Sequence, residues 1–233
     1  MPINLTKLLE TENTNTGTGT GTTWMKIQRP AGEFHDYELR ILPPLGDNEI
    51  PWHHERLHYF QTPSGLKVGA VKGKDPANDL YWKLRDNPTV KDDPAMSAAL
   101  RRLKAADKYY YNVVDRSDNT VKVLSIPYSA HDLIKKELIT YLTDDMDITD
   151  PEEGFDIVLT VKPATVFGKP SHEYSSVSVR PKPKPIEVEN WEDRTITLED
   201  EAVTNFFTTE EVEEMLPEIL GEFYDTVMGL TNG

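Results

Sequence analysis

The sequence predicts a mainly β protein built around a small antiparallel sheet. Segments in which apolar and polar residues alternate are typical of half-buried strands, and turn residues such as Pro43-Pro44 and Asp118-Asn119 separate several of them. The predicted strands are 35–42, 52–60, 66–72, 108–114, 120–126, 155–162 and 174–180. Three segments favour helices instead, namely 94–105, 129–142 and a short one at 209–216.

The position of the second helix indicates a particular arrangement of these strands. Segment 129–142 falls between the strands 120–126 and 155–162. Five or six antiparallel strands with one helix before the last barrel strand are typical of the OB-fold, a five-stranded antiparallel barrel whose strand face and loops bind oligonucleotides. Residues 61–100 are expected to form a subdomain inserted into this barrel.

Composition divides the chain into three predicted parts. Residues 1–23 combine a short amphipathic piece with a Thr/Gly repeat, which predicts a flexible arm and linker. Residues 24–184 form the predicted barrel core. Residues 185–233 carry 14 acidic residues and one basic residue, a charge of −13 out of −15 for the whole chain, and predict a flexible acidic tail.

Residue types and motifs that do not occur in the sequence exclude several functional classes. The chain has no cysteine, so disulfides and thiolate metal sites are excluded. No signal peptide and no run of 18 apolar residues is present, which predicts a soluble, intracellular protein without membrane contact. Since GxGxxG, Walker A, GxSxG and HExxH motifs are also absent, we expect a protein that is not an enzyme and requires no cofactor.

Three histidines, His53, His54 and His58, are the best metal-ligand candidates in the sequence. Side chains alternate along a strand, so the spacing of His54 and His58 does not close a site as it would on a helix. We therefore interpret these histidines as solvated or base-contacting residues. A metal-dependent enzyme that uses them stays open as an alternative.

Basic and aromatic residues concentrate in 100–116, LRRLKAADKYYYNVVDR. Cations hold phosphates without regard to sequence, and aromatic rings stack on bases. This combination predicts a site for single-stranded nucleic acid, although a basic helix end that runs into a core strand would have the same composition. Together with cations and rings on neighbouring strands, the candidate binding residues are Arg40, Trp52, Arg56, Tyr59, Lys67, Lys72, Arg101, Arg102, Lys104, Lys108, Tyr109, Tyr110, Tyr111 and Lys122.

The three consecutive tyrosines cannot all point the same way. Alternation places Tyr109 and Tyr111 on one face of the strand 108–114 and Tyr110 on the other, beside Asn112. The polar asparagine indicates the wetter face. The pattern therefore predicts that Tyr110 is the exposed stacking residue and that at least one of Tyr109 and Tyr111 lies in the core.

The acidic segment 185–233 predicts a regulatory role in nucleic-acid binding. A tethered polyanion at high effective concentration would compete with nucleic acid for a basic groove and would contact partner proteins once released. Deletion after Pro185 is then expected to tighten nucleic-acid binding. The candidate partner-binding residues are Phe206, Phe207, Glu210, Glu211, Glu213, Glu214, Phe223 and Tyr224.

Several segments resemble, in order and spacing, the helix-destabilising single-stranded DNA-binding proteins of T-even-type bacteriophages. They are YELRILPP (37–44), the basic run leading into KYYYNVV (101–114), TVKVLSIPYSAHDLIKKEL (120–138) and DITDPEEGFDIVLTVK (147–162). The resemblance implies an OB-fold and cooperative, sequence-independent binding of single-stranded DNA in replication, recombination and repair, in the cytoplasm of an infected bacterium. It also implies a tail that recruits a polymerase, helicase, primase or recombinase, and self-association along DNA through the N-terminal arm.

The resemblance also implies matches for individual residues. It implies that Arg40 matches the basic residue of the family's first strand and that Tyr109 and Tyr110 match its aromatic pair, which favours Tyr109 facing DNA. The family's type member binds zinc through one His and three Cys in the insertion, so this chain must hold residues 61–100 in shape without that metal. An OB-fold protein–protein adaptor, whose acidic tail is the functional part, is the other alternative.

Overall fold

The fold class is mainly β, as predicted. A computed structural model describes residues 23–46, 48–166 and 169–231, and within these ranges the chain forms eight β-strands and seven α-helices. The strands are β1 (His35–Ile41), β2 (Trp52–Thr62), β3 (Gly65–Val71), β4 (Ala106–Asp115), β5 (Thr120–Pro127), β6 (Ile157–Val166), β7 (Lys169–Val179) and β8 (Phe206–Phe207). The helices are α1 (Pro76–Leu84), α2 (Pro88–Asp92), α3 (Pro94–Arg101), α4 (Tyr128–Thr143), α5 (Leu198–Glu201), α6 (Thr209–Leu220) and α7 (Tyr224–Gly229). No described helix is both long enough and apolar enough to cross a membrane.

The described residues separate into two compact units. The sheet unit comprises 23–54 and 108–202, and the helical unit comprises 55–107 and 203–231. The predicted N-terminal arm and linker, 1–23, lie outside the described residues except for Thr23.

The sheet unit is an antiparallel sheet with the strand order β7-β6-β1-β4-β5. Helix α4 follows β5 and precedes β6, as the sequence predicts, and packs on the sheet. The inward-facing positions of neighbouring strands form one core with this helix, because alternate side chains of a strand share a face. The largest members of that core include Leu39, Ile41, Tyr111, Leu124, Ile126 and Ile134.

The sheet is open, so the predicted closed barrel is not confirmed. Within the described residues no pairing joins β5 to β7. The backbone of Val123 on β5 instead donates to the carbonyl of Thr23 and accepts from the amide of Met25, each at 2.9 Å. This contact occupies backbone groups that a closing strand would need at that point.

The helical unit contains the predicted insertion but extends beyond it. Helix α3 confirms the predicted helix at 94–105 in position, whereas α1 and α2 lie in a stretch for which no helix was predicted. Each of these helices begins with proline and is capped by an acidic or amide side chain, for example by Asp93, which accepts from the amides of Ala95 and Met96. The apolar core of this unit includes Phe60, Leu80, Leu84, Leu100 and Leu103.

The C-terminal segment is folded, and the expectation of a flexible tail from 185 is therefore wrong. Its first part belongs to the sheet unit, where Val188 and Ile196 are buried. The buried side chain of Asn112 donates to the carbonyl of Ile196 at 2.9 Å and accepts from its amide at 3.2 Å. Asn112 thus holds the segment to β4 and does not mark a wet face.

The second part of this segment, 203–231, completes the core of the helical unit. Strand β8 pairs in parallel with β3, and Gly69 permits this approach because a Cβ there would lie 2.9 Å from both the carbonyl of Asn205 and the ring of Phe207. Helix α6 follows, with a capping box formed by Thr208 and Glu211. Its buried residues are Val212, Met215, Leu216, Ile219 and Leu220. They recur at helical spacing, and the high acidic content of the exposed face hides that pattern in the sequence.

Candidate nucleic-acid interface

Tyr109, on β4, is the centre of a stack of rings in the sheet unit. Its ring lies parallel to that of His131, with centroids 3.6 Å apart and an interplanar angle of 8°. The ring of His54, from the start of β2, stacks on Tyr109 at 4.6 Å and 29°. Tyr128, at the start of α4, lies 6.2 Å away and is 58% exposed. We call His54, Tyr109, Tyr128 and His131 the aromatic cluster.

The local sequence explains why these rings meet. The β4–β5 hairpin pairs Lys108 with Pro127, so the chain enters α4 beside the start of β4. Tyr128 and His131 lie three residues apart on the first turn of that helix, which places them on neighbouring positions of one face.

His131 is held neutral and in a fixed orientation. Its Nδ1 shares a 2.7 Å hydrogen bond with the hydroxyl of Tyr111, and the ring of Trp52 lies 5.1 Å away. Burial lowers the pKa of His131 to about 4, and the charges of Lys135 and His54 act in the same direction. At neutral pH this buried imidazole, only 3% exposed, therefore carries no charge and supports the ring of Tyr109 from the core side.

Two lysines of the sheet unit are near the aromatic cluster in sequence, but only one shares an element face with it. Lys108 precedes Tyr109 on β4, so alternation places its side chain on the opposite face of the strand, and its partial burial lowers the pKa of its amine. Lys135 lies one turn beyond His131 on α4 and is exposed. The cluster and Lys135 together present stacked rings and a cation, which are the two components of a single-strand nucleic-acid site.

The structure separates the three predicted tyrosines. Tyr110 is only 2% exposed, so the prediction that it is the exposed stacking residue is wrong. The ring of Trp24 covers it edge-on at 6.0 Å, and the alternation pattern of β4 could not reveal this distant neighbour. Tyr111 is fully buried, which confirms that one of the other two lies in the core and excludes Tyr111 from direct contact with a strand. Tyr109 is half-buried at the edge of that core.

Arg40 is a structural residue, and its prediction as a DNA contact is wrong. Its side chain is fully buried and pairs with Asp156 at 3.0 Å. The guanidinium also donates to the backbone carbonyls of Asp150, Gly154 and Lys184. A cation enclosed in this way cannot reach a phosphate.

The other predicted cations differ in their exposure and in whether they contact carboxylates or rings of the protein. In the sheet unit, Lys122 is bound by the carboxylates of Asp115 and Asp118 at 2.7 and 2.6 Å. In the helical unit, Lys72 lies 4.3 Å from the ring centroid of Phe206, whereas Lys67 is half-buried on β3. The remaining basic candidates, all exposed in the helical unit, are Arg56, Arg101, Arg102 and Lys104. Of the two remaining aromatic candidates, Tyr59 is 38% exposed and Trp52 is half-buried against Tyr111.

The predicted partner-binding residues fall into two groups. The aromatic ones are part of or packed against the core of the helical unit, with Phe207 buried and Phe223 and Tyr224 partly buried. Phe206 is half-buried under Lys72. The exposed acidic ones lie on α6 and are Glu210, Glu211, Glu213 and Glu214.

The three histidines considered as metal ligands have other contacts. His54 stacks on Tyr109, and His53 lies 6.4 Å from the ring of Tyr110. His58 is buried in the helical unit with its Nε2 2.8 Å from the carboxylate of Asp75. Among the described residues there is no group of three or more metal-binding side chains.

Sequence reasoning missed four residues of these surfaces. Tyr128, His131 and Lys135 could have been found from the predicted hairpin, which brings the start of the following helix beside Lys108. Trp82, on α1 of the helical unit, is 50% exposed and had no such signal because no helix was predicted there. Comparison with known families yields no matching family model, and comparison with curated proteins yields no match.

Proposed function

We propose that this chain is a non-enzymatic, sequence-independent single-stranded DNA-binding protein of a bacteriophage, acting in DNA replication, recombination and repair. The observation that carries the proposal is the aromatic cluster of the sheet unit, with the exposed Lys135 one helical turn beyond His131. The exposed members of this stack, His54 and Tyr128, can receive bases of any sequence, since every base has a π face.

The connectivity of the sheet unit supports an OB-like interpretation. Strands β1, β4 and β5 pair in sequence, α4 follows, and β6 of the final hairpin pairs back onto β1. The OB-fold is a partly open five-stranded barrel that binds oligonucleotides on the face of its second and third strands. In this correspondence those strands are β4 and β5, and β4 carries Tyr109.

Titration of the full-length protein with oligo(dT) tests the proposal. We expect quenching of tyrosine and tryptophan fluorescence at low salt and a steep loss of affinity as NaCl is raised, because bound cations release counterions from phosphates. A folded sample that shows no quenching at low salt would contradict the proposal.

Tyr109→Ala tests whether the aromatic cluster is the binding surface. We expect roughly 5- to 150-fold weaker binding of oligo(dT), because loss of the ring that supports His54 would remove one stacked base, which contributes about 1–3 kcal/mol. Tyr109→Phe is the matched control, since it keeps the ring and removes only the hydroxyl. Equal affinity of Tyr109→Ala and the wild-type protein would exclude this surface.

A protein–protein adaptor remains the second candidate because α4 ends in exposed apolar side chains. Ile139 and Leu142 are 53% and 56% exposed, and Met146, just beyond the helix, is 38% exposed. Such a patch is typical of a protein contact. The same titration separates the two functions, because an adaptor has no salt-dependent affinity for oligo(dT).

A further inference from the structure

Trp82 is an exposed aromatic residue with cations placed against its ring. It lies on α1 and is 50% exposed. The guanidinium carbon of Arg85 is 4.6 Å from its ring centroid, and the Nζ of Lys104 is 5.8 Å from it. Tyr81 meets the indole edge-on at 5.2 Å and fixes its orientation from the core side.

A recess of about 210 Å³ adjoins this tryptophan through Tyr81 and Arg85. Its basic lining residues are Arg85, Lys91 and Arg101. Asp86 is the acidic neighbour and pairs with Arg85 and Lys91 at 3.0 Å each. These pairs are solvent-exposed, and exposed pairs contribute little, so an incoming phosphate can replace the carboxylate.

We infer that Trp82 is a second nucleobase-stacking site, in which a base of single-stranded nucleic acid lies on the indole while Arg85, Arg101 and Lys104 hold the flanking phosphates. The inference rests on the proposed function and assigns to it a surface of the helical unit. An indole offers a base the largest ring face among the side chains, and cations beside it match the phosphates that every base carries. An acidic protein segment would use the cations but would leave the ring face unmatched.

Trp82→Ala in the full-length protein tests the inference. We expect oligo(dT) affinity to fall about 5- to 150-fold, the effect of losing one stacked base. Phe34→Ala is the matched control, because Phe34 is a comparably exposed ring (61%) that lies beside Glu33 in the sheet unit, and we expect no change for it. Lys104→Gln should reduce the slope of log affinity against log salt by about one, as expected for the loss of one phosphate contact.

The outcomes separate the inference from the function on which it rests. If the wild-type protein does not bind oligo(dT), both fail. If the wild-type protein binds and Trp82→Ala binds as tightly as Phe34→Ala, only the inference fails. If Trp82→Ala weakens binding of poly-glutamate as much as binding of oligo(dT), the site accepts acidic segments and the stacking role is wrong.

A measurement on the unaltered protein keeps the test independent of how the variants fold. Ultraviolet irradiation of the complex with a 5-bromodeoxyuridine oligonucleotide should attach the base to the peptide that contains Trp82. Adducts at other aromatic residues without one at Trp82 would overturn the inference.

Discussion

The two units present their exposed rings in different chemical settings. In the sheet unit, Tyr109 is stacked between histidine rings, and burial keeps His131 uncharged at neutral pH. In the helical unit, Trp82 has cations against its ring. The difference indicates that the aromatic cluster contributes mainly stacking, whereas the surface around Trp82 combines stacking with charge and should depend more strongly on salt.

The units also differ in what holds them together. The sheet unit is built from antiparallel pairs, two of which are hairpins between strands adjacent in sequence, β4–β5 and β6–β7. The helical unit has a core shared by two segments that are distant in sequence, 55–107 and 203–231. The helical unit therefore depends on a segment that its composition alone identifies as a tail.

Removal of that segment is expected to have the largest effect. A chain that ends at Ala202 lacks Val212, Ile219 and Val227, all of which are fully buried. Loss of a single large core side chain costs about 2–5 kcal/mol, and several such losses exceed the roughly 5–15 kcal/mol that stabilises a typical domain. We expect the amides of α1–α3 to lose their protection from hydrogen exchange while those of β4–β6 retain it.

The sequence alone predicts a different result, namely that deletion after Pro185 tightens nucleic-acid binding by removing a flexible acidic competitor. A full-length variant with Glu213→Gln and Glu214→Gln is the control for the loss of acidic charge. Both side chains are exposed, so their neutralisation removes charge and leaves the core intact. Protected α1–α3 amides together with tighter oligo(dT) binding in the shortened chain would restore the flexible competitor tail.

A smaller effect is expected from a change at the contact between β3 and the C-terminal segment. Gly69→Ala would place a methyl group 2.9 Å from the carbonyl of Asn205 and from the ring of Phe207. Overpacking of this kind costs about 1–3 kcal/mol, which urea unfolding would measure. Gly32→Ala is the matched control in the sheet unit, because no atom lies within 4 Å of the position that a Cβ would take there, and we expect little change. Equal stability of both variants would show that residues 205–207 are only loosely attached.

The parts of the fold that could be predicted are those determined by neighbouring residues. Alternation located β1, β4, β5 and β6, and helical spacing located α4, because both patterns are local. The open edge of β5 could not be predicted in this way, since the backbone partner of Val123 on that edge is the distant segment Thr23–Met25.

The candidate site likewise has residues that a local sequence pattern identifies and residues whose burial depends on distant contacts. Tyr109 lies in the basic and aromatic stretch that composition singled out, and it remains the best candidate of that stretch. Burial of Arg40 and Tyr110 depends on Asp156 and Trp24, which are distant in sequence, so no local pattern could distinguish these two residues from surface ones.

The last expected effect is a difference in how the stabilities of the two units respond to acid. The pKa of His131 is lowered from 6.5 to about 4, so protonation favours the unfolded sheet unit. Its contribution is present above pH 6.5 and is lost as the pH falls towards 4, at a cost of about 1–3 kcal/mol. His172 has a pKa lowered by burial and adds an effect of the same sign, so the informative quantity is the difference from His131→Phe, which should be less sensitive to acid.

The helical unit should withstand the same change of pH. Burial raises the pKa of Asp75, but hydrogen bonds from His58 and from the amide of Asn78 outweigh this, and the net pKa lies below 3.8. The stability that Asp75 contributes is therefore present above pH 3.8 and is lost only below it. Hydrogen exchange at pH 5 and pH 7.5, corrected for the intrinsic rate, should show weakened protection in β4 and α4 and unchanged protection in α1. Equal weakening in both units, or loss in α1 first, would contradict the assignment of the acid response to His131.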